Sequence, residues 1–76
     1  MAVKIYTTPT CPYCAMVKEL LDKNKVKYTN IDVAADPEKA KEMIDKSGQM
    51  GVPVIVVDSE IIIGYDEGKI KKALKL

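Results

Sequence analysis

Hydrophobic and polar positions alternate in Val3-Lys4-Ile5-Tyr6, and these β-branched and aromatic residues predict a strand that runs into Thr7-Thr8-Pro9-Thr10. The period then lengthens. Tyr13, Met16, Val17, Leu20 and Leu21 fall at i, i+3, i+4, i+7 and i+8, with Lys18, Glu19, Asp22 and Lys23 on the other side, which predicts an amphipathic helix. Thr10 or Cys11 is its N-cap and Pro12 occupies one of its first positions, where a missing N–H costs nothing. Asn24-Lys25 ends it, and Val26 to Val33 reads as a second strand with imperfect alternation. A strand, a helix and a strand make a βαβ unit, whose strands are parallel. Asp36-Pro37-Glu38 opens another helix with an Asp cap, a proline and an acid in the first turn; Ala40, Met43 and Ile44 form its inner face and Ser47-Gly48 stops it. Val54-Ile55-Val56-Val57 is a run of apolar β-branched residues, as expected of a strand buried on both faces. Asp58-Ser59 turns the chain back into Glu60-Ile61-Ile62-Ile63, an antiparallel hairpin. Gly64 turns it again, and Asp66 caps a last helix with Ile70, Ala73 and Leu74 on its apolar side. The reading is an α/β fold, β-α-β-α-β-β-α, with a four-stranded mixed sheet flanked by three helices.

Length and charge narrow the picture. With 76 residues the chain is expected to be a single domain, 1–76, with a small core near the lower limit of independent folding. Its 12 lysines nearly cancel 11 acidic residues, and no arginine is present, so neither a nucleic acid nor an anionic membrane surface is an expected partner. No apolar run approaches the roughly 20 residues of a membrane span. The N-terminus enters a strand at once, without the apolar stretch of a signal peptide, so a cytoplasmic monomer is expected.

Both cysteines lie in Cys11-Pro12-Tyr13-Cys14. A ring this small removes little entropy from the unfolded chain, so exchange chemistry explains the pair better than stabilisation does. A structural zinc site needs about four ligands, and the chain has two cysteines and no histidine, so no metal is expected. Packing of the two as small buried hydrophobes is the other bland alternative. At the helix start Cys11 meets unpaired N–H groups and the positive end of the dipole, which favour an anion, and this makes it the expected nucleophile. Cys14, one turn inside, is placed to attack a mixed disulfide on Cys11 and resolve it. Thr10 and Pro12 support the turn.

The order of elements together with Cys11-Pro12-Tyr13-Cys14, Val52-Pro53 and Gly64-Tyr65-Asp66 resembles the glutaredoxins of the thioredoxin superfamily. The resemblance covers essentially the whole chain. It implies a glutathione-dependent thiol-disulfide oxidoreductase with a thioredoxin-like fold, no bound cofactor, and glutathione as co-substrate. It also implies a cis Val52-Pro53 peptide facing Cys11, with the Val52 backbone pairing with the cysteinyl part of glutathione. Tyr13 would flank the tripeptide, the Tyr65 backbone and the Asp66 carboxylate would hold its γ-glutamyl end, and Gln49 would reach its glycyl end. Partners implied are glutathione and disulfide-bearing or glutathionylated proteins. The chain departs from the family pattern in Gly51 where a threonine is common, Ile63 where the first of two glycines is common, and Thr8 where a lysine is common. These departures resemble small glutaredoxin-like proteins that take electrons from a thioredoxin reductase and pass them to ribonucleotide reductase. An iron–sulfur carrier bridged by Cys11 of two chains is a further alternative, against which Pro12 argues by family resemblance. Relatives with selenocysteine at the nucleophile position leave open whether Cys11 stands for one.

Overall fold

Four strands, β1 (Val3–Thr7), β2 (Thr29–Asp32), β3 (Val54–Val57) and β4 (Glu60–Ile63), form one sheet in the order β2-β1-β3-β4 in the computed structural model, which describes residues 2–75. β1 is parallel to β2 and antiparallel to β3, and β3 is antiparallel to β4, so the sheet is mixed as expected. Three helices flank it: α1 (Pro12–Lys23), α2 (Pro37–Ser47) and α3 (Glu67–Leu74).

Each helix begins and ends where local chemistry stops the alternatives. Asp36 caps α2 by accepting from the Glu38 and Lys39 amides at 3.1 and 3.3 Å, and Gly48, at φ 74°, ends it. Asp66 caps α3 through the Lys69 amide at 3.1 Å. α1 closes with the Val26 amide bonded back to the Leu21 carbonyl at 2.9 Å, across Lys25 at φ 57°.

That closure explains why β2 is shorter than the Val26-to-Val33 run suggests. The Val26 amide is committed to the helix end, so the ladder with β1 starts only at Thr29. Beyond Asp32, its carboxylate takes the Ala34 and Ala35 amides at 2.9 and 3.2 Å and turns the chain away from the sheet.

The sheet divides the core in two. On one side Val3, Ile5, Ile55, Val57 and Ile62 pack against Val17, Leu20 and Leu21 of α1 and Ile70 and Leu74 of α3. On the other, Tyr6, Val54 and Val56 meet Met43 of α2, with Ile44, Ile31, Val33 and Val52 half-buried around them. The inner face of α1 is rotated from the expected stripe: Cys14 is buried with Val17, Leu20 and Leu21, whereas Tyr13 and Met16 are 58% and 41% exposed. The Cys14 sulfur serves as an apolar group, and counting it turns the buried face toward Cys14, Val17 and Leu21.

Candidate active site

β1 delivers the chain to the end of the sheet where β3 begins and β4 finishes, because Tyr6 pairs with Val54 and Val54 with Ile63. The loop carrying the cysteines, the loop before β3 and the turn after β4 are therefore neighbours. The Val52–Pro53 peptide is cis, and the Pro53 carbonyl accepts the Gly64 amide at 2.8 Å, tying the second of these segments to the third.

Cys11 is itself the N-cap of α1. Its backbone is extended, and its sulfur accepts the Cys14 amide at 3.2 Å, so the cap that Thr10 was a candidate for is made by the thiol instead. The same sulfur lies 3.8 Å from the Val52 carbonyl oxygen, on the residue that precedes the cis proline. Cys11 is partly exposed and Cys14 is buried; both are free thiols. Burial, and after it the neighbouring Cys11 thiol, push Cys14 up to about 11 from an ordinary 9.0, against an opposing pull from the Thr8 amide. One sulfur is thus open to solvent at a helix N-terminus and the other is held protonated behind it. This is the arrangement of a reduced dithiol pair set for two-step exchange.

A glutaredoxin family model matches residues 3–62. The chain belongs to the glutaredoxin family. It is 41% identical over 73 residues, 96% of this chain and 97% of the relative, to an uncharacterized glutaredoxin-like 8.6 kDa protein in a rubredoxin operon of Clostridium pasteurianum. It is 40% identical to glutaredoxin 3 of Escherichia coli over 86% of this chain and 78% of that protein. The glutaredoxin of Archaeoglobus fulgidus superposes with a TM-score of 0.91 at 28% identity, covering all of this chain and 89% of that one. The glutaredoxin described here is accordingly a thiol-disulfide oxidoreductase with a thioredoxin-like fold.

The other expected site residues of this glutaredoxin are placed as follows. Tyr13 projects from the first turn of α1, largely exposed beside Cys11. Val52 and Pro53 are half-buried and buried on the loop facing Cys11. Tyr65 is half-buried against the α1–α3 side of the core, and its hydroxyl donates to Glu67 at 3.2 Å. Asp66 spends one carboxylate oxygen on the α3 cap. Gln49 folds back on its own loop, donating to the Gly51 carbonyl at 2.9 Å and accepting from the Gly51 amide at 2.7 Å. A Cβ on residue 51 would meet the Gln49 amide oxygen at 2.6 Å, so a larger residue there would displace the Gln49 side chain from this closure. The spacing of Gln49 and Gly51 carries no signal that would have revealed this closure.

Thr7, the last residue of β1, was not singled out from the sequence. Among the described residues it is the one buried polar residue, and its hydroxyl donates to the Asn30 side chain at 2.6 Å, pinning the end of β1 to β2 beneath the cysteine loop. A cleft of about 300 Å³ opens between α1 and α3, lined by Met16, Leu20, Lys23, Tyr65, Glu67 and Lys71 among others, and neither cysteine borders it. Among the described residues no three His, Cys, Asp or Glu side chains converge to hold a metal ion, and no helix is long and apolar enough to cross a membrane.

Proposed function

We propose that this glutaredoxin reduces protein disulfides and glutathione mixed disulfides at the expense of glutathione, in the cytoplasm, with Cys11 as nucleophile and Cys14 as resolving thiol. The observation that carries the reading is the position of the Cys11 sulfur: it caps α1, accepts the Cys14 amide at 3.2 Å, and faces the Val52 backbone ahead of a cis proline. The Cys11 thiolate attacks one sulfur of the substrate disulfide; a new S–S bond forms and the other sulfur leaves as a thiolate that takes up a proton. Cys14 then loses its proton and attacks Cys11, forming the Cys11–Cys14 disulfide and releasing the second substrate thiol. Two electrons have passed from the dithiol to the substrate. One glutathione thiolate opens the internal disulfide at Cys11, and a second discharges the adduct as glutathione disulfide. No bound cofactor is required.

Glutathione is an extended tripeptide with two carboxylates. Val52 offers backbone to its cysteinyl part, Tyr13 and Gln49 border it, and its γ-glutamyl end lies toward Tyr65, Asp66 and the N-terminus of α3, where free amides suit an anion. Three observations favour a second reading, recharging by a thioredoxin reductase and delivery to a large protein such as ribonucleotide reductase. Thr8 supplies no cation, the Gln49 side chain is engaged with Gly51, and Ile63 stands 52% exposed beside Gly64.

The deciding experiment is turnover of a small mixed disulfide with glutathione, glutathione reductase and NADPH, beside the same assay with thioredoxin reductase replacing the glutathione system. Turnover with glutathione, abolished in Cys11→Ser, is the expected result. Turnover only with thioredoxin reductase would replace the first reading by the second.

A further inference from the structure

β4 is an edge of the sheet, and it is unguarded. The opposite edge, β2, reads Thr29-Asn30-Ile31-Asp32 and is mostly polar, whereas β4 reads Glu60-Ile61-Ile62-Ile63, with neither lysine nor proline, the residues that commonly protect an edge. Ile61 and Ile63 are 40% and 52% exposed. They stand opposite Val56 and Val54, so their side chains share the sheet face on which α2 packs and extend it past the cover α2 gives.

The backbone of the same two residues is open. The hairpin turns at Asp58-Ser59, with Val57 opposite Glu60. In a two-residue hairpin the closing pair exchanges both hydrogen bonds, and bonded and non-bonded pairs then alternate. Glu60 and Ile62 therefore point their backbone groups at β3, and Ile61 and Ile63 point theirs outward. Among the described residues, no loop or turn amide bonds to Ile61 or Ile63.

This edge runs into the cysteine site. Ile63 is followed by Gly64, whose amide bonds to Pro53, next to Val52 and so to the Cys11 sulfur. With β3 between them, β4 lies about 10 Å from the line of β1, and a strand added to its open side lies about 14 Å from it, a span of roughly four extended residues.

We propose that β4 is a strand-addition site for the disulfide-bearing segment of a protein substrate. An extended β-branched segment pairs with the outward groups of Ile61 and Ile63, and its cysteine, about four residues beyond the Ile63 end, reaches Cys11. The proposal rests on the reading of Cys11 as nucleophile and adds a substrate class to it. A tripeptide held at Val52 is too short to use the edge, so the device separates protein disulfides from glutathione. A transient partner is favoured over a second copy of the chain by area. A stable dimer needs roughly 800 Å² from each partner, far more than two half-exposed isoleucines on a four-residue strand offer, whereas transient redox encounters lie at the low end of interface sizes.

The probe is a synthetic peptide with a Val-Thr-Val-Thr segment about four residues from one cysteine, that cysteine carried as its disulfide with nitrothiobenzoate. Trapped on Cys11 of the Cys14→Ser variant, it should protect the Ile61 and Ile63 amides from hydrogen exchange. In turnover, Ile61→Lys should lower kcat/KM for the dithiol enzyme on a disulfide dimer of this peptide by roughly tenfold and leave a small glutathione mixed disulfide unchanged. Unchanged activity on both substrates overturns the proposal, as does an equal loss on both, which would mark Ile61 as a residue of the fold or the common site. Protection of the two amides without peptide, rising with protein concentration, would assign the edge to a second copy instead. If no peptide disulfide forms on Cys11 at all, the nucleophile assignment fails; if it forms and the amides stay unprotected, only the docking proposal does.

Discussion

Cys11 and Cys14 are three residues apart and live in different solvents. Cys11 has its sulfur at a helix start, partly exposed and accepting an amide, while Cys14 is 1% exposed on the buried face of α1. Because burial raises Cys14 to about 11, at neutral pH it is a protonated thiol that does not compete for external disulfides. Iodoacetamide at pH 7 should therefore alkylate Cys11 and spare Cys14, read as a single mass addition that fragment ions of the peptide containing both place on Cys11. The same shift has a consequence for stability. An acid whose folded pKa lies above its unfolded value contributes fully below the unfolded value, here 9.0; as pH rises toward about 11 the unfolded chain sheds its proton first and the contribution is lost. Tyr6 and Tyr28 are raised by burial as well and lose stability in the same direction, so the comparison must be with Cys14→Ser, which cannot titrate. Wild type should lose more stability than Cys14→Ser between pH 9 and 11, measured by urea unfolding; parallel curves would mean that Cys14 is not held up by burial. The inequality of the thiols was legible in the sequence because a proline after Cys11 and an apolar period after it mark a helix start. The loop closure of Gln49 onto Gly51 was not, since it depends on where one flexible side chain finds its partners.

Helix and strand ends decide most of what the elements do here, and they also decide what could be read in advance. Asp36-Pro37 and Asp66-Glu67 announce their helices by chemistry confined to one turn, and both caps form at the expected residues. The boundaries that moved were set by partners distant in sequence or by a group of ambiguous polarity. Val26 looks like strand and is spent on the end of α1, and Tyr13 and Met16 look like core and are displaced by Cys14. Asp66 shows why an element and a site must be tested apart, because it is both the cap of α3 and a proposed ligand of the γ-glutamyl group. Asp66→Ala removes the cap and should cost about 1 kcal/mol, or a Tm decrease of roughly 4–8 °C for a domain of this size. Asp66→Asn caps about as well as aspartate and removes only the charge. Its melting should match wild type while its KM for glutathione rises; a KM unchanged in Asp66→Asn would leave the residue a cap and nothing more.

Across the whole molecule the two sides of the sheet are held unequally, and the chemistry is on the better-held side. Among the described residues, the α1–α3 side gathers ten buried ones into one cluster, five of them from the two helices. The α2 side gathers four, and α2 itself contributes only Met43 as a fully buried residue. The hydroxyl of Tyr6 donates to Glu42 at 3.1 Å, but Glu42 is otherwise engaged with Lys39 and Lys46 at the surface, where ion pairs add little. Regions with few buried contacts open at lower free energy than the global transition. α2 should therefore exchange its amides through a sub-global opening, with lower protection than α1, while α1 exchanges only with β1 and β3. Met43→Ala should widen that gap, since deleting a buried methionine side chain costs about 2–5 kcal/mol and α2 has no second buried residue to share the loss. The measurement is native-state hydrogen exchange across low urea concentrations, in wild type and Met43→Ala. If α1 and α2 amides converge on one free energy in both proteins, the molecule is a single cooperative unit and the division by the sheet carries no dynamics. If α2 opens first and Cys11 keeps its alkylation rate in Met43→Ala, the thiol pair is insulated from the weaker half, because the helix that carries it is anchored on the opposite face.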